Sequence, residues 1–424
     1  MSAEIKTKNI FNSKLATFVT IRQILNPSTT KICGYNVYHL LIILFMFYML
    51  TLSISLIVSL YYIMNDNIEI SLYWGYIENF IFACFKMINI LYNSKDLKKY
   101  MHVTSYNFMT YQHYNQKIFK NWQYRLTLLI ILYLIIINFA YFSWGLIPLL
   151  FNHNSISIRR FDGSVEKYQL NIYNLFLIVP ADMYNDNFNV FFSFELLTLC
   201  IFTYFTIIPD ILIFTMIFAL TCQLEAVNDA ISSLGYNANA SDNMKTYVNK
   251  TQEMIEVKRD VYNDLKILIT DHQNVIKQMH GFYGKIRSTL FIQLFVTSSS
   301  LILILYIADL CFIKGNTEDS LIVTKVLIVL PTFTIQLFIK CFIIGNLNKK
   351  KDSITFMLYS SNWTDMDKKS KKLILFAMKL NNANDLKLKF TQTRIVNLEM
   401  FCNTIRLCYS IFSVLANYSL NKMK

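Results

Sequence analysis

Apolar runs too long for the core of a soluble protein constrain this chain more than any other feature. A helix rises 1.5 Å per residue and bilayer hydrocarbon is ~30 Å thick, so a crossing takes about 20 mostly apolar residues. About seven segments meet that requirement: Val37–Met64, Ile70–Tyr92, Leu126–Phe151, Val190–Leu220, Leu290–Ile313, Leu321–Ile344 and Asn397–Tyr418. The first and third are the clearest. The second carries Glu78 and Lys86, the fourth Glu195 and Asp210, and the seventh Glu399 and Arg406. Charges at that depth normally face a protein interior or a water-filled cavity. The expected fold class is an all-α membrane protein with seven transmembrane helices.

Only 16% of the 424 residues are charged, against about 25% in a typical soluble protein. The net charge of +13 would suit a nucleic-acid partner, but Lys and Arg lie between the apolar blocks rather than along one soluble face, which excludes that class. Their placement sets orientation instead. Basic residues concentrate before Val37, between the second and third spans, and in the stretch from Lys349 to Lys372. By the positive-inside rule these segments are cytosolic, and an odd number of spans puts the C-terminus outside. That is the reverse of a G-protein-coupled receptor.

The organisation that follows is a cytosolic segment over 1–36 and four spans over 37–220, with an extracellular loop at 152–189. Cytosolic helical extensions follow over 221–289, then two spans over 290–345, a cytosolic anchor segment over 346–396, and a last helix over 397–424. Tyr247, Met254, Val257, Val261, Leu265 and Leu268 recur at helical spacing, so the fourth and fifth helices should project beyond the bilayer. The turn joining them is expected at Gly235, Asn237, Asn239, Ser241, Asp242 and Asn243, and a second turn at Asn381–Asn384. Sequons at Asn239, Asn249 and Asn362 fall on the cytosolic side, so no glycosylation is expected there.

No HExxH, GxSxG, P-loop or GxGxxG motif occurs, and the six histidines and eight cysteines are scattered. The expectation is no enzyme, no metal and no cofactor. Asp210 is expected to pair with Lys or Arg of the anchor region, and Glu195 to reach the membrane interface. Neither is assigned a site role.

The C-terminal third carries an ordered set of motifs. They are Gln336-Leu337-Phe338, Cys341, Gly345, Tyr359-Ser360-Ser361-Asn362-Trp363, Lys371-Lys372-Leu373-Ile374-Leu375, Leu386-Lys387-Leu388 and Arg406-Leu407-Cys408-Tyr409-Ser410-Ile411-Phe412-Ser413. This order resembles the insect odorant receptor family, whose final helix typically carries a Tyr-Ser-aromatic-Phe-Thr run. Pro180, Glu195, Asp210 and Cys222-Gln223-Leu224 fall where that family tends to place Pro, Gln, Asp and Cys-Gln-Leu. The sequence departs at Ile411, at Ser413, in the spacing of Cys341 to Gly345, and at Glu195, which replaces a neutral amide.

The resemblance implies a tetrameric, non-selective cation channel whose last helix lines a shared pore, assembled with a co-receptor subunit as a heterotetramer. It implies multi-pass insertion in the plasma membrane of an olfactory sensory neuron. Pore and gate positions become Ser410, Ser413, Val414, Asn417 and Tyr418, with Val414 as the apolar ring; a pore helix uses such small polar residues, although serines also bond neighbouring helices. The resemblance further implies a pocket for a small volatile in the outer halves of the second, third, fourth and sixth spans. The residues there are Trp74, Ile77, Phe80 and Ile81; Ile137, Ala140 and Trp144; Phe194, Thr198 and Phe202; and Leu327, Leu330 and Thr334. Within each set the spacing permits one helix face. Thr198 and Thr334 could orient an ester, ketone or alcohol. A gustatory receptor of the same superfamily usually ends its last helix in a Gln-Phe that is absent here, and a G-protein-coupled receptor would need the opposite orientation.

Overall fold

Backbone polar groups inside hydrocarbon must be satisfied within their own segment, and the long apolar runs answer with helices. The computed structural model describes residues 9–10, 20–25, 31–32, 35–62, 67–111, 113–151, 155–159, 163–236, 261–314, 317–383, 387–389 and 394–423. Six of its helices are long and apolar enough to cross a membrane. They are α1 (Val37–Tyr62), α3 (Gln116–Leu150), α4 (Phe188–Ser232), α5 (Val261–Lys314), α6 (Thr317–Asp352) and α7 (Leu398–Met423). The intervening α2 (Asn67–Tyr92) is equally helical, but Glu69, Glu78 and Lys86 interrupt its apolar character. It packs against α1, α4 and α5 within the bundle.

Helix α4 is the centre. Its inner faces meet α2, α3, α5 and α6, and its carboxyl half from Phe205 to Leu224 is almost wholly buried. Helices α1 and α3 turn Leu44, Phe47, Ile135 and Phe139 outward, as a lipid-facing surface requires. Gly235, at a φ of 87°, lies in the turn after α4, a backbone state that suits a residue without Cβ. The rest of the turn expected there, together with Tyr247, Met254, Val257, Asn239 and Asn249, lies outside the described residues.

Both ends of the bundle carry smaller elements. At one end an antiparallel hairpin pairs Ser155–Arg159 with Val165–Gln169, followed by a short helix, Ala181–Asp186. At the other, α6 is followed by helices Ile354–Ser360 and Lys368–Ala383. The second of these overturns the turn expected at Asn381. Asn381 and Asn382 stay helical, with their side chains hydrogen-bonded to Thr355 Oγ1 at 2.9 and 3.3 Å, so a tertiary partner outweighs their turn preference. Asn384 lies outside the described residues.

Candidate functional site

A cavity of about 80 Å³ opens between α2, α3, α4, α5 and α6, well above the roughly 10–15 Å³ that one water needs. Tyr76, Phe80, Tyr141, Trp144, Phe202 and Phe333 form its aromatic wall, with Leu72, Leu303, Ile304, Ile307, Val326 and Val329 between them. Ser71, Asn79 and Ser300 supply polar atoms, and Asn79 Nδ2 donates to Ser300 Oγ at 2.9 Å. Such a mostly apolar chamber with few polar groups suits a small molecule of low polarity.

Of the residues expected to line a pocket, Phe80, Trp144 and Phe202 do so together. Ile77, Ile137 and Ala140 are buried nearby in the packed core. Thr198 is buried, its hydroxyl paired with Tyr48 at 2.9 Å and with the Phe194 carbonyl. Leu330 and Thr334 are half-buried, and Thr334 donates to the Leu330 carbonyl of its own helix. Trp74, Ile81, Phe194 and Leu327 are exposed on the outside of the chain. The α5 wall was not anticipated, although Ser300, Leu303, Ile304 and Ile307 have the i, i+3, i+4, i+7 spacing that would have revealed it.

The loop after the hairpin closes the cavity. Tyr173 lies against Tyr76, Phe80 and Trp144 with ring centroids 5.1, 5.5 and 6.5 Å away. The backbone that carries it is held on every side. Glu195 of α4 accepts the Tyr173, Asn174 and Leu175 amides at 2.7, 3.1 and 2.7 Å. Lys325 Nζ donates to the Asn171 carbonyl at 2.7 Å, Trp144 Nε1 to that of Ile172 at 3.1 Å, and Tyr73 OH to that of Asn174 at 2.8 Å. The expectation that Glu195 reaches the interface is therefore corrected: it is fully buried, because three convergent amides replace its water. No local signal marks this, since the partners are 20 to 22 residues apart.

Asp210 is likewise corrected. Its partners are residues of the bundle itself, not of the anchor region: Lys86 at 3.1 Å from α2 and Lys340 at 2.8 Å from α6. Tyr133 of α3 donates to its other oxygen at 2.6 Å. One carboxylate thus ties four helices together.

Helix α7 is different. Cys408 is buried, donating to the Ser298 carbonyl at 3.7 Å, and Phe401 meets Phe338 edge-on at 5.5 Å. Val414 and Tyr418 are 68% and 67% exposed, Ser410 and Asn417 are also exposed, and Ser413 bonds the Tyr409 carbonyl. All five expected pore positions lie on this one helix, away from the cavity. Among the described residues no group of His, Cys, Asp and Glu could hold a metal ion.

A family model described as 7tm Odorant receptor matches residues 66–409. Odorant receptor 46a, isoform B, of Drosophila melanogaster is 25% identical over 117 residues, which is 28% of this chain and 30% of that relative. The solved structure of the insect olfactory receptor OR5 from Machilis hrabei superposes with a TM-score of 0.70 at 15% identity, covering 95% of this chain and 97% of that one. The likeness to OR5 shows the shared fold, and the family match extends over most of the sequence. The chain is a multi-pass membrane protein of the 7tm odorant receptor family.

Proposed function

We propose that the chain is the odorant-binding subunit of a heteromeric, non-selective cation channel in the plasma membrane of an olfactory sensory neuron. It crosses the bilayer seven times, with α2 as the remaining span, its N-terminus in the cytosol and its C-terminus outside. A small volatile of low polarity (an ester, ketone or alcohol) occupies the aromatic cavity under Tyr173. Each Å² of apolar surface it buries contributes ~25 cal/mol. Four last helices, this one and those of co-receptor partners, surround a pore with Val414 at its narrowest ring.

One observation carries the reading. Helix α7 is long and apolar enough to span a membrane, yet only 6% of its most apolar stretch is buried within the chain. Its open face combines Ser410, Val414 and Asn417, a mixture better matched to protein neighbours and water than to lipid alone.

The cavity and α7 share a physical link. Ser300 lines the cavity, while Ser298, on the same turn of α5, accepts from Cys408 of α7. Phe333 lines it from α6, whose Phe338 touches Phe401 of α7. A ligand that prefers a wider arrangement of these walls would shift α5 and α6, and α7 with them. Equal affinity for closed and open states would shift nothing.

Co-expression with the co-receptor and recording of currents evoked by a panel of volatiles tests the reading. Gly75→Leu is the specific probe. Gly75 lines the cavity, and its nearest side-chain neighbour would stand 3.9 Å from an added Cβ, so a leucine fills the chamber. Evoked current should fall at least tenfold while surface expression stays. An unchanged dose-response would place the ligand elsewhere.

A further inference from the structure

The cluster around Asp210 holds two ammonium groups against one carboxylate. Among the described residues, Asp210 is the only carboxylate paired with Lys86 or Lys340, and both lysines are buried. Tyr133 adds a neutral donor to the same acid. With both lysines charged, the cluster carries one positive charge more than Asp210 balances, the costly way to bury a charge, and the Lys86 ammonium also stands 4.9 Å from the centroid of the Phe82 ring.

Lys86 also lines a second, smaller cavity of about 20 Å³, room for a single small guest. It lies directly against the aromatic chamber, sharing Asn79, Tyr141, Phe202 and Phe333 as walls, and its own lining mixes Phe82, Ala83 and Val296 with the polar Thr206, Gln293, Thr297 and Gln336. Gln293 and Gln336 are 2% and 3% exposed; Gln293 Oε1 has no hydrogen-bond partner, and the Gln336 amide lies beside the Tyr133 hydroxyl. A buried amide group without a partner is uncommon in a packed interior.

The geometry points to a binding site for one small monovalent anion beside Lys86. The ammonium supplies the charge and Gln336 Nε2 a donor. A half-turn of the Gln293 amide presents its Nε2 in place of its oxygen without changing its shape. A water molecule would meet the hydrogen bonds but leave the charge unbalanced; an anion meets both. A free halide fits the cavity. The same charge could arrive as the carboxylate of a ligand whose apolar chain fills the chamber above. The site does not depend on the channel reading, since its occupancy is a property of the folded bundle.

Thermal unfolding of the full-length receptor in lipid nanodiscs tests it, comparing sodium chloride, bromide, hexanoate and gluconate at equal ionic strength. Chloride and bromide should raise Tm by a few degrees over gluconate, saturably, as a ligand that binds only the folded state must. A rise with hexanoate but not with halide would support the same site with the ligand as carrier. Lys86→Met should abolish the anion dependence and, in gluconate, unfold no earlier than the unmodified receptor, because Lys340 and Asp210 remain as a balanced pair. A purely structural lysine would instead give a weaker protein in every salt. Gln336→Leu, which keeps all charges, should weaken the halide effect several-fold and serves if Lys86→Met does not fold. Identical Tm in all four salts, or a halide shift that survives Lys86→Met, would overturn the proposal.

Discussion

Helices α4 and α7 are both apolar enough to cross a membrane, but they are used in opposite ways. The most apolar stretch of α4 is entirely buried within the chain, while that of α7 is 6% buried. Helix α4 can therefore carry charge at depth. Glu195 fixes the loop over the cavity, and Asp210 gathers Lys86, Lys340 and Tyr133, each acid satisfied by partners that a single chain provides. Beyond the exposed Arg406, from Ser410 to Asn417, the open face of helix α7 carries only small neutral polar groups, left to whatever surrounds it. The contrast teaches that hydropathy registers a helix's affinity for leaving water, not the neighbours it will find there.

The largest expected effect lies in α4. Asp210→Ala strands two buried ammonium groups, and breaking a buried pair in this way costs about 3–5 kcal/mol. Thermal unfolding in detergent should show the loss; a variant as stable as the parent would mean that the cluster holds nothing together.

Tight burial beyond the α4 centre should also be felt. His272 of α5 is buried, its Nε2 has no partner, and burial together with Lys351 pushes its pKa down to about 4. A lowered folded-state value means that the unfolded chain binds the proton more readily. The stabilising contribution is thus complete above pH 6.5 and is lost as pH falls from 6.5 towards 4, by about 3 kcal/mol. His272→Phe should flatten that part of the stability profile; an unchanged slope would refute the assignment.

Glu195→Gln leaves one oxygen for three amides and should cost about 1–3 kcal/mol. Because the loop bearing Tyr173 loosens first, ligand off-rates should rise before surface expression falls. At the other extreme, Val414→Ala on α7 should change the stability of the isolated subunit by no more than about 0.5 kcal/mol. It should nonetheless alter leak current or permeation in the assembled receptor. A large stability loss would mean that Val414 packs within its own chain, and the contrast between α4 and α7 would fail at that position.

The helical class, six of the seven expected spans and the family were legible in the residues, because run length and local spacing are properties of a linear chain. Phe80, Trp144 and Phe202 were among the positions the family resemblance implied, and they line the cavity together. Trp74, Ile81, Phe194 and Leu327 satisfied the same spacing yet face outward, since periodicity gives a face but not its direction. The α5 wall and Tyr173 were missed for a related reason: the first comes from a helix the resemblance did not implicate, the second from a loop between two spans.

Run length alone commits this chain to a bundle of membrane-crossing helices, because the hydrocarbon thickness and the unmet backbone bonds favour helices for apolar runs of that length. The roles of its buried charges emerge only once the helices are packed. Glu195 finds its amides 20 to 22 residues away, and Asp210 its lysines 124 and 130 residues away. Electrostatic partners inside a bundle are chosen by proximity in space, which no one-dimensional pattern encodes.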